Sequence, residues 1–98
     1  MLGKGMPQDY EEAFKWYNSS AQQGYAKAQF TLGEIYFRGQ YSAPQDFVLA
    51  HIWLNLASAQ RFGEASTIRD KLAEKMNTSQ IQEAQKLARE FKPKKEKP

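Results

Sequence analysis

The feature that most constrains this chain is an internal period of 37 residues. Pro7-Gln8-Asp9-Tyr10 recurs as Pro44-Gln45-Asp46-Phe47, and the register then holds without a gap. Ala13 meets Ala50, Trp16 meets Trp53, Asn18 meets Asn55 and Gln23 meets Gln60. Seven of the seventeen positions from 7 to 23 are identical, where average composition gives about one by chance. A period of this length belongs to helical solenoids, whose units bury their apolar faces only by stacking on one another.

Each copy reads as a helix. A proline opens it, and an aspartate stands where a carboxylate can accept the orphan N–H groups of the first turn. Asp9 and Glu12 have the spacing of a capping box. Tyr10, Ala13, Tyr17 and Ala21 line one face of the first copy, and Phe47, Ala50, Leu54 and Ala57 one face of the second. Val48, Leu49, Ile52, Trp53 and Leu56 make the second helix apolar nearly all round, which predicts cover on several sides and a central place in the fold. Between the copies, Gly24 and Gly39 bracket a helix of about fourteen residues with Ala28, Leu32, Gly33 and Tyr36 on one face. Gly33 costs such a helix about 1 kcal/mol against alanine, so close approach by a neighbouring helix is the reason to expect there.

Beyond Gln60, the segment Gly63 to Met76 carries the stripe Ala65, Ile68, Leu72 and Met76 and predicts a further helix. Asn77-Thr-Ser-Gln80 has capping-box spacing and opens a last helix, with Ile81, Ala84, Ala88 and Phe91 on one side and polar residues on the other. The predicted fold is therefore all-α, an α/α solenoid of antiparallel helix pairs with about five helices and a C-terminal capping helix. Residues 1–91 form one domain: a partial repeat (1–24), a full repeat (25–61) and a cap (62–91). Residues 92–98 are expected to be a disordered, Lys-rich tail.

The net charge of +3 first suggests an anionic partner. Its location says otherwise: residues 1–91 hold ten basic and ten acidic side chains, and the excess lies in Lys92, Lys94, Lys95 and Lys97 against Glu96. Without cysteine there is no disulfide framework, thiol chemistry or thiolate zinc site. No stretch is apolar over a length that spans a bilayer, and the first residues show no secretory signal. A cytoplasmic protein without a membrane span is the expectation.

Leu32-Gly33-x-x-Tyr36-x-x-Gly39, followed by Pro44-Gln45-Asp46-Phe47-x-x-Ala50-x-x-Trp53-Leu54-x-x-Ala57, resembles the Sel1-like repeat, a relative of the tetratricopeptide repeat. Gly3 through Gly24 is similar to the second half of another such repeat. Arg69 through Ala88 resembles the family's C-terminal cap. The sequence departs from the pattern in three ways. No Leu-Gly-x-x-Tyr helix precedes Gly3. The loop from Gly39 to Pro44 is one residue longer than that from Gly3 to Pro7, with Tyr41 or Ser42 in place of the family's second glycine. The cysteine pairs of some exported members are missing. The resemblance implies a scaffold or adaptor that holds a peptide or protein partner on a helical-repeat surface, and some bacterial members are linked to signalling, host contact or cell-envelope processes.

That implication directs attention to the residues of the second helix facing away from its core: Lys27, Phe30, Thr31, Glu34, Phe37 and Arg38, a candidate concave face in which the two phenylalanines are the anchors. Tyr10, Phe14, Trp16 and Tyr17 form a candidate edge face, to be covered by a second copy in a homodimer or by a partner, the alternative being that the chain is a fragment of a longer protein. Trp16 and Trp53, at one repeat position, read as helix-packing residues. Ala13, Leu32, Gly33, Tyr36, Ala50, Trp53, Leu54 and Ala57 are the predicted repeat core. Candidate chemistry is thin. His51 is the only histidine and lacks a partner in register, so a structural role is expected. Asp9, Glu11 and Glu12 suit the start of a helix, Ser19-Ser20 has no base in register, and Gly3-Lys4-Gly5 is too short for a phosphate loop. No catalytic residue, metal ligand or cofactor is assigned. Nucleic-acid binding is unlike a body that is neutral, and only the tail offers an alternative contact with nucleic acid or another anionic surface.

Overall fold

The structure, a computed structural model, describes residues 10–41 and 43–94. Five helices follow one another: α1 (Tyr10–Gln22), α2 (Ala26–Arg38), α3 (Phe47–Ala59), α4 (Ala65–Ala73) and α5 (Thr78–Glu90). The described residues contain no strand. The start of the first copy, including Asp9 and its expected cap, lies outside the described residues.

Local chemistry sets the ends. Asp46 caps α3, its Oδ1 accepting the Leu49 N–H at 3.0 Å. Asn77 and Gln80 complete a reciprocal capping box at α5: Gln80 N–H donates to Asn77 Oδ1 at 2.8 Å and Asn77 N–H to Gln80 Oε1 at 3.0 Å. At the end of α2, Gly39 turns left-handed at φ 70°, and the N–H groups of Gly39 and Gln40 both reach Ile35 O. α4 is shorter than the stripe from Gly63 to Met76 predicts. The N–H groups of Glu74, Lys75 and Met76 bond to the carbonyls three residues back, which tightens the chain into a turn after Ala73.

α3 is the central helix. One group of buried residues joins Trp53 to Ala28, Leu32 and Ile35 of α2 and Ala21 of α1. A second joins Ala50 and Leu54 to Leu72 of α4, and a third joins Ile52 to Ala84 and Ala88 of α5. α1 packs chiefly on α2. Gly33 marks the tightest crossing, because a Cβ there would lie 2.7 Å from Leu54 Cγ and 3.2 Å from the Leu54 backbone nitrogen.

In the loop after Gly39, one residue with a side chain stands in a glycine-like backbone conformation. Tyr41 takes the left-handed conformation itself, at φ 53°, which costs an L-residue about 1 kcal/mol. Its ring is held between aromatic neighbours, with centroids 5.2 Å from Tyr10 and 6.5 Å from Tyr17, both near parallel. Such contacts offset the backbone cost.

The repeat also extends further than the identical residues indicate. Gly24 and Arg61, 37 apart, both have positive φ, at 98° and 59°. The N–H of Tyr25 bonds to Ser20 O just as that of Phe62 bonds to Ala57 O. The turn from α1 to α2 is thus repeated between α3 and α4.

The expected disordered tail needs correction at its start. Phe91 meets Trp53 edge-on at 5.6 Å. Pro93 lies against Gly24, and Lys94 N–H donates to Gln22 O at 2.8 Å. Orphan carbonyls at the end of α1 supply acceptors that sequence spacing did not reveal. Residues 95–98 lie outside the described residues.

Candidate functional site

The two candidate faces differ sharply in the surface they offer. On α2, Lys27 and Arg38 are exposed and Thr31 and Glu34 half-buried, in one stripe. Arg38 and Glu34 approach to 4.0 Å, a contact of small energetic weight at the surface. Phe30 and Phe37 do not stand free as anchors. Phe30 packs on Phe62 (centroids 5.4 Å apart) and Phe37 on Phe47 (6.0 Å), both against Ala50, Leu54 and Leu72. They are the wall between α2, α3 and α4, so the proposed concave face keeps its polar stripe and loses its aromatic centre.

The edge face divides as well. Phe14 and Tyr17 are half-buried against the core, Phe14 edge-on to Tyr36 at 5.9 Å. Tyr10 is exposed on one side and stacked on Tyr41 on the other. Trp16 overturns the helix-packing expectation, because 62% of it is exposed while Trp53 is 6% exposed. The physical reason is the neighbour, not the residue. Trp53 is covered by α2, and nothing among the described residues stands in the corresponding place beside Trp16.

Of the predicted core, Leu32, Gly33, Ala50, Trp53, Leu54 and Ala57 are buried, and Ala13 and Tyr36 half-buried. His51 is also buried, and its Nδ1 has no hydrogen-bond partner. Burial, and then the nearby Arg69, lower its pKa from the ordinary 6.5, with Asp70 opposing. Arg69 itself donates to Asn55 Oδ1 at 2.8 Å and to Asp70 Oδ1 at 3.0 Å. This arrangement favours neutral imidazole. Among the described residues, no three His, Cys, Asp or Glu side chains are placed to hold a metal ion.

Two apolar grooves remain. One, of about 340 Å³, lies on the α1 edge and is lined by Trp16, Tyr17, Ser20, Tyr25, Lys27 and Ala28. Tyr25, 61% exposed, is a member that the sequence reading missed. Its counterpart Phe62, 37 residues on, was the available signal. The other groove, also about 340 Å³, runs between the α1–α2 turn, the end of α3 and the segment after α5. Two of its glutamines are already bonded: Gln60 Nε2 donates to Gly24 O at 2.8 Å and Gln29 Oε1 at 3.0 Å, and Gln29 Nε2 to Ala21 O at 3.3 Å.

Residues 1–25 and 26–62 each match the Sel1 repeat family. The chain is a Sel1 repeat protein. Its five helices form the helical repeat solenoid of that family. Sel1 repeats generally mediate protein–protein interaction. No curated protein and no solved structure shows significant similarity to the chain. No helix of the described residues is long and apolar enough to cross a membrane.

In Sel1 terms, the α1-edge groove has a counterpart within the same chain. Trp53, Leu54, Ala57, Phe62 and Ala65 hold the places of Trp16, Tyr17, Ser20, Tyr25 and Ala28 one repeat on. There the surface is closed, because α2 lies across it.

Proposed function

We propose that this Sel1 repeat protein is a non-catalytic interaction module and that its binding surface is the α1-edge groove around Trp16 and Tyr25. The observation that carries this reading is the contrast between Trp16, 62% exposed, and its repeat counterpart Trp53, 6% exposed. Two large aromatic rings exposed beside an apolar groove have the composition of interface anchors, which are aromatic far more often than the rest of a surface. The polar stripe of α2 is a secondary contact region. Self-association through the same edge is the alternative occupant. The lysine-rich end brings no equal support, since the backbone at Lys94 is bonded to α1 and the lysines beyond it lie outside the described residues.

Site-specific photo-cross-linking tests the assignment. A benzoylphenylalanine at position 16 or 25 should give a defined protein adduct in the cells that make this chain, whereas the same group at exposed Leu87 of α5 should not. Equal adducts at all three positions, or adducts only at 87, would reject the groove as the binding surface.

A further inference from the structure

Within the chain, one face of the repeat is seen twice, once covered and once open. The covered copy shows what the open copy is shaped to receive. On α3 the face built by Ala50, Trp53, Leu54 and Ala57 is crossed by α2. Gly33 sits over Leu54, Ala28, Leu32 and Ile35 surround Trp53, and Phe30 packs on Phe62. On α1 the same places hold Ala13, Trp16, Tyr17 and Ser20, continuing to Tyr25.

The rest of α1 limits what can add. α3 meets α5 through Val48, Leu49, Ile52 and Leu56. The corresponding positions of α1 are Glu11, Glu12, Lys15 and Ser19, all exposed. That side of α1 is finished with polar groups, so a second layer has nothing to bury there. One helix fits, and only on the Trp16 side.

Resting on the interaction reading above, we infer that the α1-edge groove is the receptor for a single amphipathic helix from a partner chain, with the residue pattern of α2. The helix places a glycine or alanine over Tyr17, aliphatic side chains around Trp16 and an aromatic ring on Tyr25. An acidic residue at its edge meets Lys27, the one charged side chain among the described residues that line the groove. Among the described residues, a second folded copy of this chain has no free helix of this pattern to give. Its α2 is already committed to α3 through Gly33 and Leu54, the outer face of α4 carries Ser66, Thr67, Asp70 and Lys71, and that of α5 carries Gln82, Glu83, Lys86 and Arg89. The recognition is helix-in-groove docking that completes a repeat between two chains.

The test uses the 98-residue chain and a fluorescent synthetic peptide with the sequence of residues 25–40. Fluorescence anisotropy should show saturable binding. Trp16→Ala in the chain, or Gly33→Leu in the peptide, should weaken it by about tenfold or more, and Leu87→Ala in the chain should leave it unchanged. Circular dichroism of Trp16→Ala confirms that the variant is folded. Absence of binding, or equal binding by the Gly33→Leu peptide or by the Trp16→Ala chain, overturns the inference. So does sedimentation showing a dimer of the chain that Trp16→Ala converts to monomer, since a second copy would then occupy the groove. Cross-links at positions 16 and 25 in cells, together with failure of the peptide, would leave the interaction surface standing and remove only its helical occupant.

Discussion

Trp16 and Trp53 are the same residue at the same repeat position, and their surroundings set them apart. Replacing Trp53 by alanine removes a ring packed by α2 and Phe91, and should cost about 3–5 kcal/mol on denaturant titration. Replacing Trp16 should cost markedly less, about 1 kcal/mol, because most of it is exposed. A sequence reading takes both as helix-packing residues, since residue type and register are all it sees. Burial depends on the helix that lies alongside, and that information is held by a different stretch of chain. Gly33 was legible for the opposite reason: an unfavourable residue inside a helix signals its own cause, and Leu54 is found against it. His51 carries a prediction of its own. Its folded-state pKa lies below the ordinary 6.5, so as pH falls through 6.5 the unfolded chain takes up a proton that the fold resists. Stability is therefore full above that pH and declines below it. The urea midpoint should drop between pH 7.5 and pH 5.5 in the native chain, and His51→Leu should flatten that slope.

At the level of elements, helix crossings decide more than helix propensities. Alanine at position 33 would gain about 1 kcal/mol of propensity in an isolated helix. In the fold its Cβ collides with a fully buried Leu54 side chain and comes close to the α3 backbone. Gly33→Ala should therefore destabilise by about 1–3 kcal/mol net, and a double-mutant cycle should show a smaller cost for it in a Leu54→Ala background, where the side chain it meets is gone. The existence and order of the five helices could be read from stripes and caps, Asp46 and Asn77 above all. Two features could not. α4 ends early because a series of turn hydrogen bonds competes with the apolar stripe. The turn at Arg61 has the backbone of the turn at Gly24 without its glycine, so residue identity concealed a repeated geometry. Tyr41 belongs to the same class, a side chain that accepts a glycine-like φ because two tyrosines hold its ring.

For the molecule as a whole, α3 gathers α2, α4 and α5, and the segment after α5 returns to the α1–α2 turn. Removal of residues 91–98 should lower the melting temperature, because it uncovers Trp53 and frees Gln22 O, whereas removal of residues 93–98, which keeps Phe91 on Trp53, should lower it less. Differential scanning calorimetry of the two truncations would show the difference. α1 is the exception to this convergence. It leans chiefly on α2, and the one backbone bond it receives from the C-terminal segment is at its last residue, Gln22. The helix that carries Trp16 thus has fewer helical neighbours than α3 among the described residues. Its amides should exchange with deuterium before those of α3. A visitor to the groove would find a helix still partly able to melt, and its arrival would slow that exchange selectively in α1. Occupancy could then be followed from the protection of α1 alone, with no need to observe the visitor.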